Sequence, residues 1–248
     1  MILIGIAGAI GHGKTTVAEA LLLQEPSSMH LETGMIVAEV ADQLNKKLHD
    51  IPKIDDISSI NRWLANLPSV VQAITGKSCS ASQILLTRQG IAADPSLYKK
   101  LFEYLDDVRN NPELVRHDIS IANKSNYRSL LQWLGGYLVK KVDAGIWYDE
   151  LVKRLLKSKK QLRIVSGVRF PNDAQIIHSA GGIVLNVVRP KLTERDIEDP
   201  TERERSGVKS DIVIINNGTI PQLSACVSKI LSDIRHKRTQ VSYNTDEY

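Results

Sequence analysis

MILIGIAGAIGHGKTTVAEALLLQ, residues 1–24, is the stretch on which the fold turns. Residues 2–7 form a short apolar run, the pattern of a strand buried in a parallel sheet. Val17, Ala18, Ala20, Leu21 and Leu22 then follow as in a helix packed on that sheet. Between them, Gly8 to Thr15 has the spacing G-x-x-x-x-G-K-T of a phosphate-binding loop, or P-loop. Its glycines permit a tight turn that aims successive N–H groups inward as an anion nest. The spacing lets Lys14 reach the β- and γ-phosphates of a nucleotide and lets the Thr15 hydroxyl coordinate Mg²⁺. The helix that begins here directs its positive end at the same phosphates. Gly11, His12, Gly13, Lys14, Thr15 and Thr16 are accordingly the expected ATP-binding segment, with His12 contributing its backbone N–H rather than an acid or base.

A chain of 248 residues buries roughly 70–75% of its unfolded surface and folds without disulfides or structural metal. Thirty-two basic against 28 acidic residues give a net charge of +4, spread along the chain. That mild excess suits phosphorylated small molecules as well as nucleic acid, so it excludes neither. Cys79 and Cys226 lack metal-ligand spacing and read as reduced thiols of a cytosolic protein. No run of 18 apolar residues exists and the N-terminus lacks a basic leader, so a soluble, cytoplasmic protein is expected.

Strands are expected at 27–32, 162–166, 183–188 and 211–216, alternating with helical patterns. That alternation predicts an α/β fold: a P-loop three-layer α/β/α domain with a parallel sheet and a helical insertion. Residues 1–51 form the first part of the core. The polar stretch 52–126, with prolines at 52, 68, 95 and 112, reads as the insertion, a lid that holds the acceptor. Residues 127–235 complete the core, a charged loop runs through 193–209, and 236–248 read as a mobile tail. Ligands of such sheets sit beyond the C-terminal strand ends. The P-loop, Arg169 and Arg189 all fall just past such ends.

Phosphoryl transfer spreads charge over the moving group's oxygens, and arginine suits that task because its planar fork stays charged. Arg169 follows an apolar strand; a salt bridge to Asp173 or Glu150 is its competing role. Arg128 opens an amphipathic helix and suits an acceptor phosphate, though a solvated helix start also accounts for it. Arg189, before Pro190, suits the ATP base or a phosphate. Glu32 and Glu39 suit acceptor hydroxyls. Trp133 and Trp147 lie on apolar helix faces, where core packing competes with base stacking.

The P-loop, then YRSLLQWLG (127–135), IWY (146–148), IVSGVRFPNDA (164–174), VVRP (187–190) and IINNGT (214–219) together resemble the deoxynucleoside monophosphate kinases of tailed phages. Order and spacing agree from residue 2 to about 231, and 52–126 agree only in being a helical insertion. The resemblance implies transfer of the ATP γ-phosphate to a deoxynucleoside monophosphate with Mg²⁺. It implies Lys14, Arg128 and Arg169 as catalytic, and Thr15 as the metal ligand. The expected acceptor site combines Glu32, Arg128, Gln132, Trp133 and Arg169, of which the resemblance carries over Arg128 and Arg169. One position departs: the family usually has an acid after the third strand, and Gly167 stands there. Either the metal relies on Thr15 and the phosphates, or Asp173 or another acid substitutes.

Kinases for other small phosphates, of the phosphomevalonate or dephospho-coenzyme A type, compete within the same fold. A nucleic-acid-dependent P-loop ATPase competes from another class. Against it, no strand ends in an Asp-Glu pair, and no N-K-x-D or strand-linked D-x-x-G is present to make a switch. The expected partners are ATP and deoxynucleoside monophosphates, with no membrane and no stable nucleic-acid partner; a homodimer is compatible. A phage-encoded chain would work in the host cytoplasm.

Overall fold

The computed structural model describes residues 1–53, 55–190 and 207–248, and of Ile121 only the backbone. The described chain divides into two compact units, Met1–Thr33 with Leu151–Tyr248, and Gly34–Glu150. Six strands lie in the first unit: β1 (Ile2–Gly8), β2 (Ser28–Glu32), β3 (Leu162–Val168), β4 (Ile183–Val188), β5 (Ile212–Ile215) and β6 (Ser242–Asn244). The helices, in chain order, begin with α1 (Lys14–Gln24), α2 (Thr33–Asn45), α3 (Ile57–Leu64), α4 (Leu67–Thr75), α5 (Ala81–Ile84) and α6 (Arg88–Ala93). They continue with α7 (Pro95–Asn110), α8 (Arg128–Lys141), α9 (Ile146–Lys157), α10 (Pro171–Ser179) and α11 (Ile220–His236).

The sheet order is β2-β3-β1-β4-β5-β6, and every neighbouring pair is parallel. The fold is thus α/β, as expected. β1 leads on through α1 to β2 on one side, and its neighbour β4 leads on to β5 on the other, so the chain leaves these adjacent C-terminal ends in opposite directions. Such a reversal opens a crevice there. Ile4 and Ile6 of β1, Leu185 and Val187 of β4, and Ile212 and Ile214 of β5 form one buried face. Val17 and Leu21 of α1 and Val227 and Ile230 of α11 cover it. Each such side chain contributes roughly 1.5–3 kcal/mol on leaving water. α10 packs on β1 and β4, with Ile177 fully buried.

Two boundaries differ from those expected. The tail placed outside the fold supplies β6, which pairs with β5 through Val213↔Ser242, Ile214↔Tyr243 and Ile215↔Asn244. Its anchor is the buried Tyr243, whose hydroxyl donates to Asp233 Oδ2 at 2.9 Å. The helical unit, drawn from sequence at 52–126, runs over Gly34–Glu150. The reason is packing: α2 and α8 bury apolar faces inside this unit. Trp63 Nε1 donates to Leu44 O at 2.9 Å at the end of α2, and α7 lies along α8. Of the charged loop expected at 193–209, residues 193–206 lie outside the described residues.

Candidate active site

Gly13 is the N-cap of α1 with φ 103°, in the left-handed region, and a Cβ there would lie 2.6 Å from Asn216 Nδ2. Backbone and space both require glycine. No side chain caps α1, whose first intrahelical bond runs from Val17 N–H to Gly13 O at 2.9 Å. The amides of Thr15 and Thr16 precede that bond and leave the helix end, where the dipole favours an anion. Lys14 Nζ donates to Gly8 O and Ala9 O at 2.7 Å each, which holds the ammonium at the end of β1.

His12 is 7% exposed and acts as a strut. Arg189 N–H donates to its Nδ1 at 3.3 Å, and its carbonyl accepts from Asn216 Nδ2 at 2.9 Å. Its backbone N–H, expected to face phosphate, instead donates within the turn to Ala9 O at 3.3 Å. A groove of about 330 Å³ opens beside this turn. Gly11, Gly13 and Thr16 line it from the P-loop side, Arg189 from the end of β4, and Asn216, Gly218 and Thr219 from the turn after β5.

Arg169 follows β3 directly and is exposed. Among the described residues of this unit its guanidinium makes no ion pair, so the expected competing bridge to Asp173 does not form; Glu150, the other expected competitor, belongs to the helical unit. Ile6 pairs with Ser166 and Ala7 with Val168, so Gly167 is an extra, bulged residue with φ 85°. A Cβ at 167 would stand 3.2 Å from Thr33 Oγ1. The bulge therefore disfavours any acid side chain at this position.

Asp173 does not take over that role. It is buried at the start of α10, where its Oδ2 accepts from Arg169 N–H at 3.0 Å and Phe170 N–H at 2.9 Å. It is a cap that fixes the Arg169 backbone. Burial pushes its carboxyl up to about 6, against the pull of those two amides and the Arg169 charge. The folded pKa thus lies above the ordinary 3.8, and the fold favours the neutral form. The associated stability is present in full below about pH 4 and is lost as pH rises through 6. Its size is up to about 3 kcal/mol. Asp173→Asn cannot titrate, so wild type should lose up to that amount relative to the variant between pH 4 and 7 in urea unfolding. A wild-type-to-variant difference that is flat with pH would refute this account.

Glu32 ends β2 opposite Ser166 of β3 and is half-buried. The P-loop, Glu32, Arg169, Arg189 and Asn216 therefore share the C-terminal edge of one sheet. The remaining candidates belong to the helical unit. Arg128 is the first residue of α8 and Gln132 follows one turn later, both exposed. Trp133 is 2% exposed, with its ring centroid 5.0 Å from that of Tyr137. It is a core residue, so the structure does not support its placement in the acceptor site. A second groove, of about 460 Å³, lies in this unit against Glu39, Asp42 and Gln43 of α2 and Ser69 and Val70 of α4. Asp42 is already engaged, accepting from Ile119 N–H at 2.9 Å and pairing with Lys46 at 2.7 Å.

Asn216 escapes a reading from sequence, because its partner His12 lies 204 positions away. Its only local signal is the N-N-G-T turn that ends β5.

A glycine-built turn between the first strand and helix, at the switch point of a parallel sheet and with Arg169 and Arg189 at the same edge, is the arrangement of nucleotide-handling α/β proteins. The deoxynucleotide monophosphate kinase family model matches residues 71–227. The chain belongs to that family, and is a nucleotide kinase, a phosphotransferase. It is also similar to a protein of Acanthamoeba polyphaga mimivirus named "Putative deoxynucleotide monophosphate kinase". The two are 25% identical over 242 residues, 92% of this chain and 96% of that protein. No helix among the described residues is long and apolar enough to cross a membrane.

Proposed function

We propose that this chain transfers the γ-phosphoryl group of ATP to deoxynucleoside monophosphates, giving ADP and deoxynucleoside diphosphates. The observation that carries the reading is the β1–α1 turn, with Lys14 held at the strand end and Arg169 at the end of the adjacent strand. The triphosphate lies against the turn, its β- and γ-oxygens toward Lys14 and the amides of Thr15 and Thr16. The nucleoside occupies the groove between Arg189 and the turn after β5. Arg128 and Gln132 bind the acceptor phosphate. The groove beside Glu39 suits the acceptor nucleoside, its carboxylate accepting from hydroxyl or amino groups.

An oxygen of the acceptor phosphate attacks the γ-phosphorus in line as the bond to the ADP oxygen breaks. The acceptor is already anionic, so no protein base is required. Arg169 meets the charge that spreads over the transferred oxygens.

Mg²⁺ fits a restricted donor set. Among the described residues no group of three or more His, Cys, Asp or Glu could hold a metal ion, and the bulge at Gly167 disfavours the usual acid. Thr15 Oγ1 and the phosphate oxygens would therefore hold the ion, which shields phosphate charge when bound.

The test is ADP formation from ATP and Mg²⁺ with each of the four deoxynucleoside monophosphates, and with phosphomevalonate and dephospho-coenzyme A as controls. Turnover that requires a deoxynucleoside monophosphate supports the reading. Turnover with a control phosphate alone, or ATP loss stimulated only by DNA or RNA, would overturn it.

A further inference from the structure

We infer that Thr245, in the C-terminal tail, is a positioning residue for the ATP groove, acting through the turn after β5. The inference rests on the proposed placement of ATP in that groove. Thr245 is fully buried just past β6. Its hydroxyl accepts from Asn217 N–H at 2.9 Å and Gly218 N–H at 2.7 Å, and donates to Ile215 O at 3.2 Å. One oxygen thus completes the hydrogen bonding of a turn whose flanking residues, Asn216, Gly218 and Thr219, line the groove. Asn216 passes the constraint on to the P-loop through His12 O.

The chemistry of the contact is selective. Two donors and one acceptor converge on a single side-chain atom, and among side chains of this size only a hydroxyl both accepts and donates. A methyl group in its place takes the acceptor from two part-buried amides: Gly218 N–H loses its partner and Asn217 N–H keeps only its 3.3 Å bond to Ile215 O, so the turn must rearrange to reach water. The tail itself is fixed independently of Thr245. β6 pairs with β5, Tyr243 OH donates to Asp233 Oδ2, and Val213 N–H donates to Val241 O at 2.8 Å. The tail therefore holds the hydroxyl under the groove as a rigid support.

The experiment is isothermal calorimetry of ADP and of a non-hydrolysable ATP analogue, in the absence of acceptor, on wild type, Thr245→Val and Thr245→Ser. Steady-state kinetics and thermal melts accompany it. Thr245→Val should weaken both nucleotides about tenfold and raise KM for ATP to match, with KM for the acceptor within twofold of wild type. Thr245→Ser, which keeps the hydroxyl, should restore binding to within twofold. Should the valine variant not fold, a chain ended after Asn244 keeps β6 and should show the same loss of at least about fivefold.

A lowered melting temperature with unchanged nucleotide affinity would make Thr245 merely structural and overturn the inference. A serine variant as weak as the valine variant would do the same. Wild-type protein that binds neither nucleotide overturns both this inference and the kinase reading. If nucleotide binds but no deoxynucleoside monophosphate is turned over, only the acceptor reading fails, and the valine–serine comparison still decides Thr245.

Discussion

Replacing Lys14 with alanine is expected to lower kcat/KM by about 10³-fold or more while the protein remains folded. The proposed role supplies the size of the effect. An ammonium that contacts the β- and γ-oxygens acts on charge that grows as the bond to the leaving group breaks, and losses of 10²–10³ follow removal of one such donor. The proposed role also makes Lys14 a point charge for the bound triphosphate, so binding and turnover should both suffer. About 10³-fold corresponds to roughly 4 kcal/mol of lost transition-state stabilisation. The structural cost is far smaller. Lys14 Nζ donates to two carbonyls, Gly8 O and Ala9 O, at a part-buried site. Losing such bonds costs about 1 kcal/mol each where water can replace the donor. Circular dichroism and melting should therefore stay close to wild type while the coupled assay falls toward background. Full activity in a folded Lys14→Ala protein would remove the P-loop from the mechanism and with it the kinase assignment at this site.

The parts of this site that could be read from sequence are those built by contiguous residues. The P-loop is one run between a strand and a helix, and each residue type states its own backbone requirement. Arg169 could be found because an apolar strand ends just before it. Features that depend on distant pairing could not. Gly167 reads as the first residue of an exit loop, and only the register of β1 against β3 shows it to be a bulge. Ser242–Asn244 has one apolar residue, Tyr243, and its hydroxyl partner Asp233 sits on a helix ten positions earlier. A short edge strand held by one aromatic looks like a polar tail when read along the chain. The ends of the helical unit are hidden for a related reason. Proline and polar residues mark 52–126, whereas α2 and α8 look like ordinary amphipathic helices whose partners only packing reveals. Trp133 is the reverse case: it stands among the expected acceptor residues, while its apolar helix face points to the core. The structure sides with the face.

Arg169→Ala is expected to lower kcat by 10²-fold or more with a small change in KM for ATP. Its position makes it informative, because structure and function separate cleanly there. The guanidinium is exposed and, among the described residues, makes no ion pair, so truncation should cost no more than about 0.5 kcal/mol of stability. The backbone contact that organises the loop, Arg169 N–H to Asp173 Oδ2, survives in the alanine variant. Loss of rate then reports the guanidinium itself. β3 and β1 are adjacent and parallel, so the strand ends that lead into Arg169 and the P-loop lie one strand spacing, about 4.8 Å, apart at one sheet edge. From there the planar fork can bind two phosphoryl oxygens at once, which an ammonium cannot. Arg169→Lys should accordingly recover only part of the rate, by charge without geometry. A tenfold deficit in the lysine variant beside a 10²-fold deficit in alanine would be that signature. A loss below about threefold in Arg169→Ala, with nucleotide binding intact, would return Arg169 to the solvated surface. Charge stabilisation would then have to come from Arg128 or Arg189, and the same pair of substitutions at each would identify which.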